Sequence, residues 1–169
     1  MTPRLMLTVL TTSAVLALAC GGKLVDERAF VQQGERLTLD WETTVPEGEP
    51  SFWLAYDLHT GSEYDMGRGS TDPVYNAQGT LAVTTGGNAV YDGLLRLDDG
   101  QAPTTQLSST VTVGSSETCG TDGCRVKGRV RTLNLDDLSA GSPLVVEASI
   151  PVQGDSVTVE ALTLQMRAK

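Results

Sequence analysis

From about residue 30 onward the chain alternates between apolar and polar positions. In "ERLTLDWE", Leu37, Leu39 and Trp41 fall on one side and Thr38 and Asp40 on the other. A period of two marks a strand with one buried face. "PSFWLAYDLH" repeats the pattern, with Phe52, Leu54, Tyr56 and Leu58 on one face. The connecting "TTVPEGEP" carries prolines and a glycine and reads as a loop. Further strands are predicted over "GTLAVTT", "NAVYDGLLRLDD", "TTQLSSTVTV", "CRVKGRVRTLNL", "PLVVEASIPV" and "DSVTVEALTLQMR". The turns between them fall at Gly86-Gly87-Asn88, "DDGQAP", "LSAGSP" and Gln153-Gly154, and Gly93 is expected to mark a bulge. "TGSEYDMGRGSTDPVYNAQG" shows no clear period and reads as an extended loop with a short edge strand near Val74 and Tyr75. Roughly eight or nine strands at near-regular spacing, with no amphipathic helix among them, predict an all-β, antiparallel β-sandwich or barrel.

"QQGERLTLDWE" followed by "SFWLAYDL" resembles strands B and C of an immunoglobulin-like or fibronectin-type sandwich, over residues 32–58. The inter-sheet cysteine pair usual in immunoglobulin domains is absent. A jelly roll is the alternative topology for the same strand count. Either way residues 30–169 form a single β-sandwich domain, long enough to bury a core of its own.

The opening "MTPRLMLTVLTTSAVLALACGGK" follows a different pattern. Arg4 precedes an uncharged run from Leu5 to Ala19, and small residues end it. The run has 15 residues, short of the roughly 20 a membrane-spanning helix needs. This is the layout of a secretory signal peptide covering residues 1–19, with an uncleaved anchor as the remote alternative. Ala17-Leu18-Ala19 fits ordinary small-x-small cleavage. Ala19-Cys20-Gly21 also resembles a bacterial lipobox, with Ala17 and Leu18 where that family usually has Leu and then a small residue. The resemblance implies that the Cys20 thiol receives a diacylglyceryl group and that the chain is cut just before it. Both readings cut the same bond. Gly21 after the cysteine resembles lipoproteins passed on to the outer membrane. Residues 20–29, "CGGKLVDERA", then read as the lipidated cysteine and a short tether.

Cysteine number supports lipidation. Cys119 and Cys124 are separated by four residues, "GTDG", a good tight-turn sequence, and are expected to bridge across a hairpin tip. Cys20 is then left over, and an odd cysteine in an exported protein needs a role. Two or more acyl chains hold a domain stably at a membrane.

Charge narrows the partners. The chain has 21 acidic and 12 basic residues. Losing residues 1–19 removes only one of the basic ones, Arg4, and leaves an acidic body. Nucleic acid requires a basic patch, so an acidic chain of this kind is not expected to bind it.

Catalytic chemistry finds little to work with. His59 is the only histidine, and no G-x-S-x-G elbow exists to partner it, so it reads as a surface residue. Asp98-Asp99, Asp136-Asp137 and the group Asp57, Glu63, Asp65 and Asp72 are acidic clusters, without the D-x-D-x-D-G spacing of a calcium loop. They read as solvated loop charge. No metal, cofactor or catalytic residue is assigned. Trp53 falls on the face opposite Phe52 and, with Tyr64 and Tyr75, offers an aromatic platform for a sugar or peptide. The bland alternative is that Trp53 packs inside. Asp122, in the "CGTDGC" tip, is the remaining binding candidate.

The sequence thus points to a non-enzymatic envelope lipoprotein, anchored by its lipid, that binds an unidentified protein or glycan or serves as an accessory component. An inhibitor or immunity-type lipoprotein that inserts an acidic loop into a basic cleft is the alternative. A carboxylate-dependent hydrolase comes third.

Overall fold

A computed structural model describes residues 22–60, 76–98 and 116–169. The strands in chain order are β1 Lys23–Ala29, β2 Val31–Gln33, β3 Arg36–Thr44, β4 Pro50–Thr60, β5 Asn76–Thr85 and β6 Asn88–Asp98. They continue as β7 Ser116–Gly120, β8 Gly123–Asn134, β9 Pro143–Pro151, β10 Gln153–Gly154 and β11 Val157–Ala168. Two antiparallel sheets result. The first runs β1-β11-β4-β8-β7, with β10 attached to β11. The second runs β2-β3-β9-β5-β6. The protein is an all-β sandwich, as the alternation predicts. Among the described residues no helix is long and apolar enough to cross a membrane.

The period of two sets which side chains meet between the sheets. Phe52, Leu54 and Leu58 of β4, Val126 of β8 and Leu162, Leu164 and Met166 of β11 line the inner face of the first sheet. Leu37, Leu39 and Trp41 of β3, Leu81 and Val83 of β5 and Val146 and Ile150 of β9 line the second. Trp41 and Phe52 meet across the gap, ring centroids 5.7 Å apart and tilted by 55°. Each such side chain removed from water contributes about 1.5–3 kcal/mol.

One end of the sandwich is closed by backbone hydrogen bonds between loops. Val45 N–H donates to Ser142 (2.9 Å), Gly141 N–H to Val45 (2.8 Å) and Leu135 N–H to Pro50 (2.9 Å). The β5–β6 hairpin turns at the same end through Gly86 and Gly87, both at positive φ (55° and 81°). A two-residue turn matching the strand twist needs that backbone at both positions, and glycine adopts it without strain.

Two expectations are corrected. Residues 23–29 are not a tether: they form β1, paired with β11 from Lys23↔Ala168 to Ala29↔Thr163. Its side chains are all exposed, so pairing of the backbone orders it rather than burial of a face. Gly93 is not a bulge. It pairs regularly with Leu81, and the register shift of this hairpin lies between Val83 and Thr84. The ring of Tyr91 fills the space beside Gly93 where a Cβ would stand.

Candidate binding surface

The β7–β8 hairpin reaches the end opposite those closed loops. Cys119 and Cys124 stand directly across from each other and form a disulfide, with Cα atoms 4.0 Å apart. Cys124 is part of the core, and Cys119 is exposed. The buried Thr60 hydroxyl at the end of β4 donates to the Cys124 carbonyl (3.1 Å) and accepts from its N–H (3.3 Å). The tip is thereby fastened to the body. Asp122 projects from it with its side chain 84% exposed. His59 Nε2 lies 4.0 Å from the Asp122 carboxylate, an ion pair only when the ring is protonated.

Trp53 is not an exposed platform. It faces away from the inter-sheet core, yet it is only 2% exposed. Its indole N–H donates to the Ser51 hydroxyl at 3.0 Å, and the Arg131 guanidinium lies 5.6 Å from the ring centroid. Phe52 and Trp53 are both buried, although only one face of a sandwich strand is ordinarily covered. The long Arg131 side chain lying over the outer ring contributes to this. Tyr64, Tyr75, Cys20 and the acids Glu63, Asp65, Asp72 and Asp99 lie outside the described residues. Asp136 and Asp137 are exposed in the loop between β8 and β9.

Sequence reasoning passed over the feature that dominates this face. Val126 and Val130 of β8 turn toward the core, so Arg125, Lys127, Arg129 and Arg131 all turn outward. Neighbours at alternate positions of a strand stand about 6.6–6.8 Å apart, so the four cations form a straight row about 20 Å long. Arg167 of β11 joins them. Its guanidinium donates to the Gly22 carbonyl through Nε (3.2 Å) and Nη2 (2.8 Å), and to Gln165 through Nη1 (3.3 Å). Five of the chain's 12 basic residues thus occupy one face of a protein with 21 acidic ones.

Among the described residues, Asp57 answers Arg125 and Lys127 with direct ion pairs. Its carboxylate accepts from Arg125 Nε (2.8 Å) and Nη2 (2.6 Å) and pairs with Lys127 Nζ at 3.0 Å. The Arg125 hydrogen bonds, with Lys127 helping, hold the Asp57 carboxyl below its ordinary pKa against the opposing effect of burial. Of the group Asp57, Glu63, Asp65 and Asp72, Asp57 alone is described, and its carboxylate is committed to these cations rather than left as solvated loop charge. Burial, and then the like charge of Arg129, pull Arg167 below the ordinary guanidinium pKa. Arg129 has no ion pair among the described residues, and Arg131 Nε is buried without a hydrogen-bond partner. On the outer face of the second sheet the acids outnumber the bases: Asp40, Glu42, Asp92 and Glu147 are exposed there beside Arg36 and the half-buried Arg96.

Guanidinium groups offer fixed forks of N–H donors that bind carboxylates and phosphates in pairs. The face therefore suits anion recognition. Among the described residues there is no cluster of three or more His, Cys, Asp or Glu able to hold a metal ion. The alternating "RVKGRVR" was visible in the sequence, but averaging charge over the whole chain concealed it. No protein-family model matches the chain, and no curated protein matches it in sequence.

Proposed function

We propose that this protein is a non-enzymatic β-sandwich lipoprotein of the bacterial envelope, held at the outer membrane by an acylated Cys20, and that it binds a protein or glycan partner through the outer face of the first sheet. The binding half of this reading is carried by one observation: five cations gathered on one face of a strongly acidic chain. Like charges placed side by side oppose folding, so their collection on one face calls for a use outside the fold. The anchoring half is supported by the layout of residues 1–20 and by the cysteine count, since the Cys119–Cys124 bridge leaves Cys20 unpaired.

Two measurements test it. Mass spectrometry of the N-terminal peptide should show acyl chains on Cys20, and Cys20→Ala should release the protein from the membrane fraction. A pull-down from envelope extracts should recover a partner with the wild-type chain and lose it with Arg129→Glu. An unmodified Cys20 thiol in membrane-free protein sinks the first half, and identical captures sink the second. The inhibitor reading is favoured by the bridged tip with its exposed Asp122, and a charge-reversed Asp122→Lys that leaves capture unchanged removes it.

A further inference from the structure

We infer that the ligand of the cation row is an extended acidic peptide segment with carboxylates on alternate residues. The inference rests on the proposed binding face and is independent of the lipid.

Spacing is the first reason. Side chains on one face of an extended peptide repeat every 6.6–6.8 Å or so, as do Arg125, Lys127, Arg129 and Arg131 on β8. A peptide laid along β8 places one carboxylate beside each cation without bending either chain. Local charge is the second. Asp57 already serves Arg125 and Lys127, whereas Arg129 has no ion pair among the described residues. A carboxylate beside Arg129 answers the member of the row that has no ion pair among the described residues.

Two further observations select the class of partner. Trp53 is only 2% exposed, so this ring cannot stack on a sugar, and recognition falls to charge-assisted hydrogen bonds. The molecule as a whole carries a formal charge of −9. A long polyanion would meet that charge and the acidic second sheet. A short segment meets only the cations within a screening length of about 8–10 Å.

The test uses the full chain in detergent, with fluorescence anisotropy of labelled probes. The first probe is a peptide of about eight residues with Glu and Ser alternating, long enough to span the row. The second has the same composition with its Glu residues in one block. An oligouronate and vesicles of anionic phospholipid complete the set. The alternating peptide is expected to bind more tightly than the blocked one. Arg129→Glu should weaken its binding by about tenfold or more, and Arg129→Gln by less. Asp57→Asn, which releases Arg125 and Lys127, should tighten it. Circular dichroism and thermal melts of each variant control for folding.

Equal binding of the two peptides, or tighter binding of the oligouronate or the vesicles, overturns the inference while the face remains a binding surface. Concentration-dependent self-association abolished by Arg129→Glu also overturns it, by placing a second copy of the chain on the row. If no probe binds and envelope capture is also indifferent to Arg129→Glu, the inference and the proposed binding face fall together.

Discussion

Replacing Trp53 by alanine separates a buried indole from a surface platform. The side chain is 2% exposed, donates to Ser51 at 3.0 Å and sits beneath the Arg131 guanidinium. Truncating a buried aromatic of this size costs about 3–5 kcal/mol, from lost transfer energy and the cavity left behind. Within that total the cation–π contact supplies about 0.5–1 kcal/mol and the indole hydrogen bond about 1 kcal/mol. In a domain of this length such a loss lowers Tm by about 10 °C or more. Urea unfolding should be followed by far-ultraviolet circular dichroism, because the substitution removes one of the chain's two tryptophans. A double-mutant cycle with Arg131→Ala isolates the contact between the two side chains. Solvent-exposed substitutions usually stay within about 0.5 kcal/mol. A cost for Trp53→Ala below about 1 kcal/mol would therefore refute the burial described above.

Acidification tests the Asp57 cluster. Its folded pKa is held down, so its stabilisation is complete above the ordinary carboxylate value and is lost as pH falls through the lower, folded one. Asp57→Asn should thus cost no more than about 1 kcal/mol at neutral pH, because both cations are half exposed and solvent screens the pairs, with the gap in urea midpoint closing below about pH 4; a gap unchanged by acid contradicts the pairing. Reducing the Cys119–Cys124 bridge closes so short a loop in reverse and should lower stability by about 2 kcal/mol while the strand signal in circular dichroism persists. Loss of that signal would make the bridge essential to the fold. Gly79→Ala should destabilise by about 1–3 kcal/mol, because its Cβ would collide with the Ser149 carbonyl and the Ile150 backbone; a neutral thermal melt would refute that close approach.

The strands best read from the sequence are those with one wet and one dry face. β3 alternates Leu37, Leu39 and Trp41 with polar residues, and β9 and β11 behave alike, because the sandwich buries their inner sides. β1 escaped for the converse reason. Every one of its side chains is exposed, so it leaves no periodic trace, and only hydrogen bonds to β11 hold it in the sheet. The two readings of Trp53, platform or buried ring, stayed open because strand periodicity says which way a residue points and nothing about what lies over it; the structure decides for burial. The disulfide was legible because two cysteines around a tight turn can hardly avoid each other in a hairpin. The cation row required topology: β8 had to be a strand with Val126 and Val130 inside before its arginines shared a face, and Arg167 joined them only through the pairing of β4 with both β8 and β11.

Gly22 and β1 also decide how the molecule responds to traction. The Gly22 carbonyl is gripped by two nitrogens of Arg167, and β1 begins at the next residue. A pull along the axis of β1 loads its bonds to β11 side by side, in shear. A tug across the sheet would instead peel those bonds away in succession, and the domain would give way at a much smaller force.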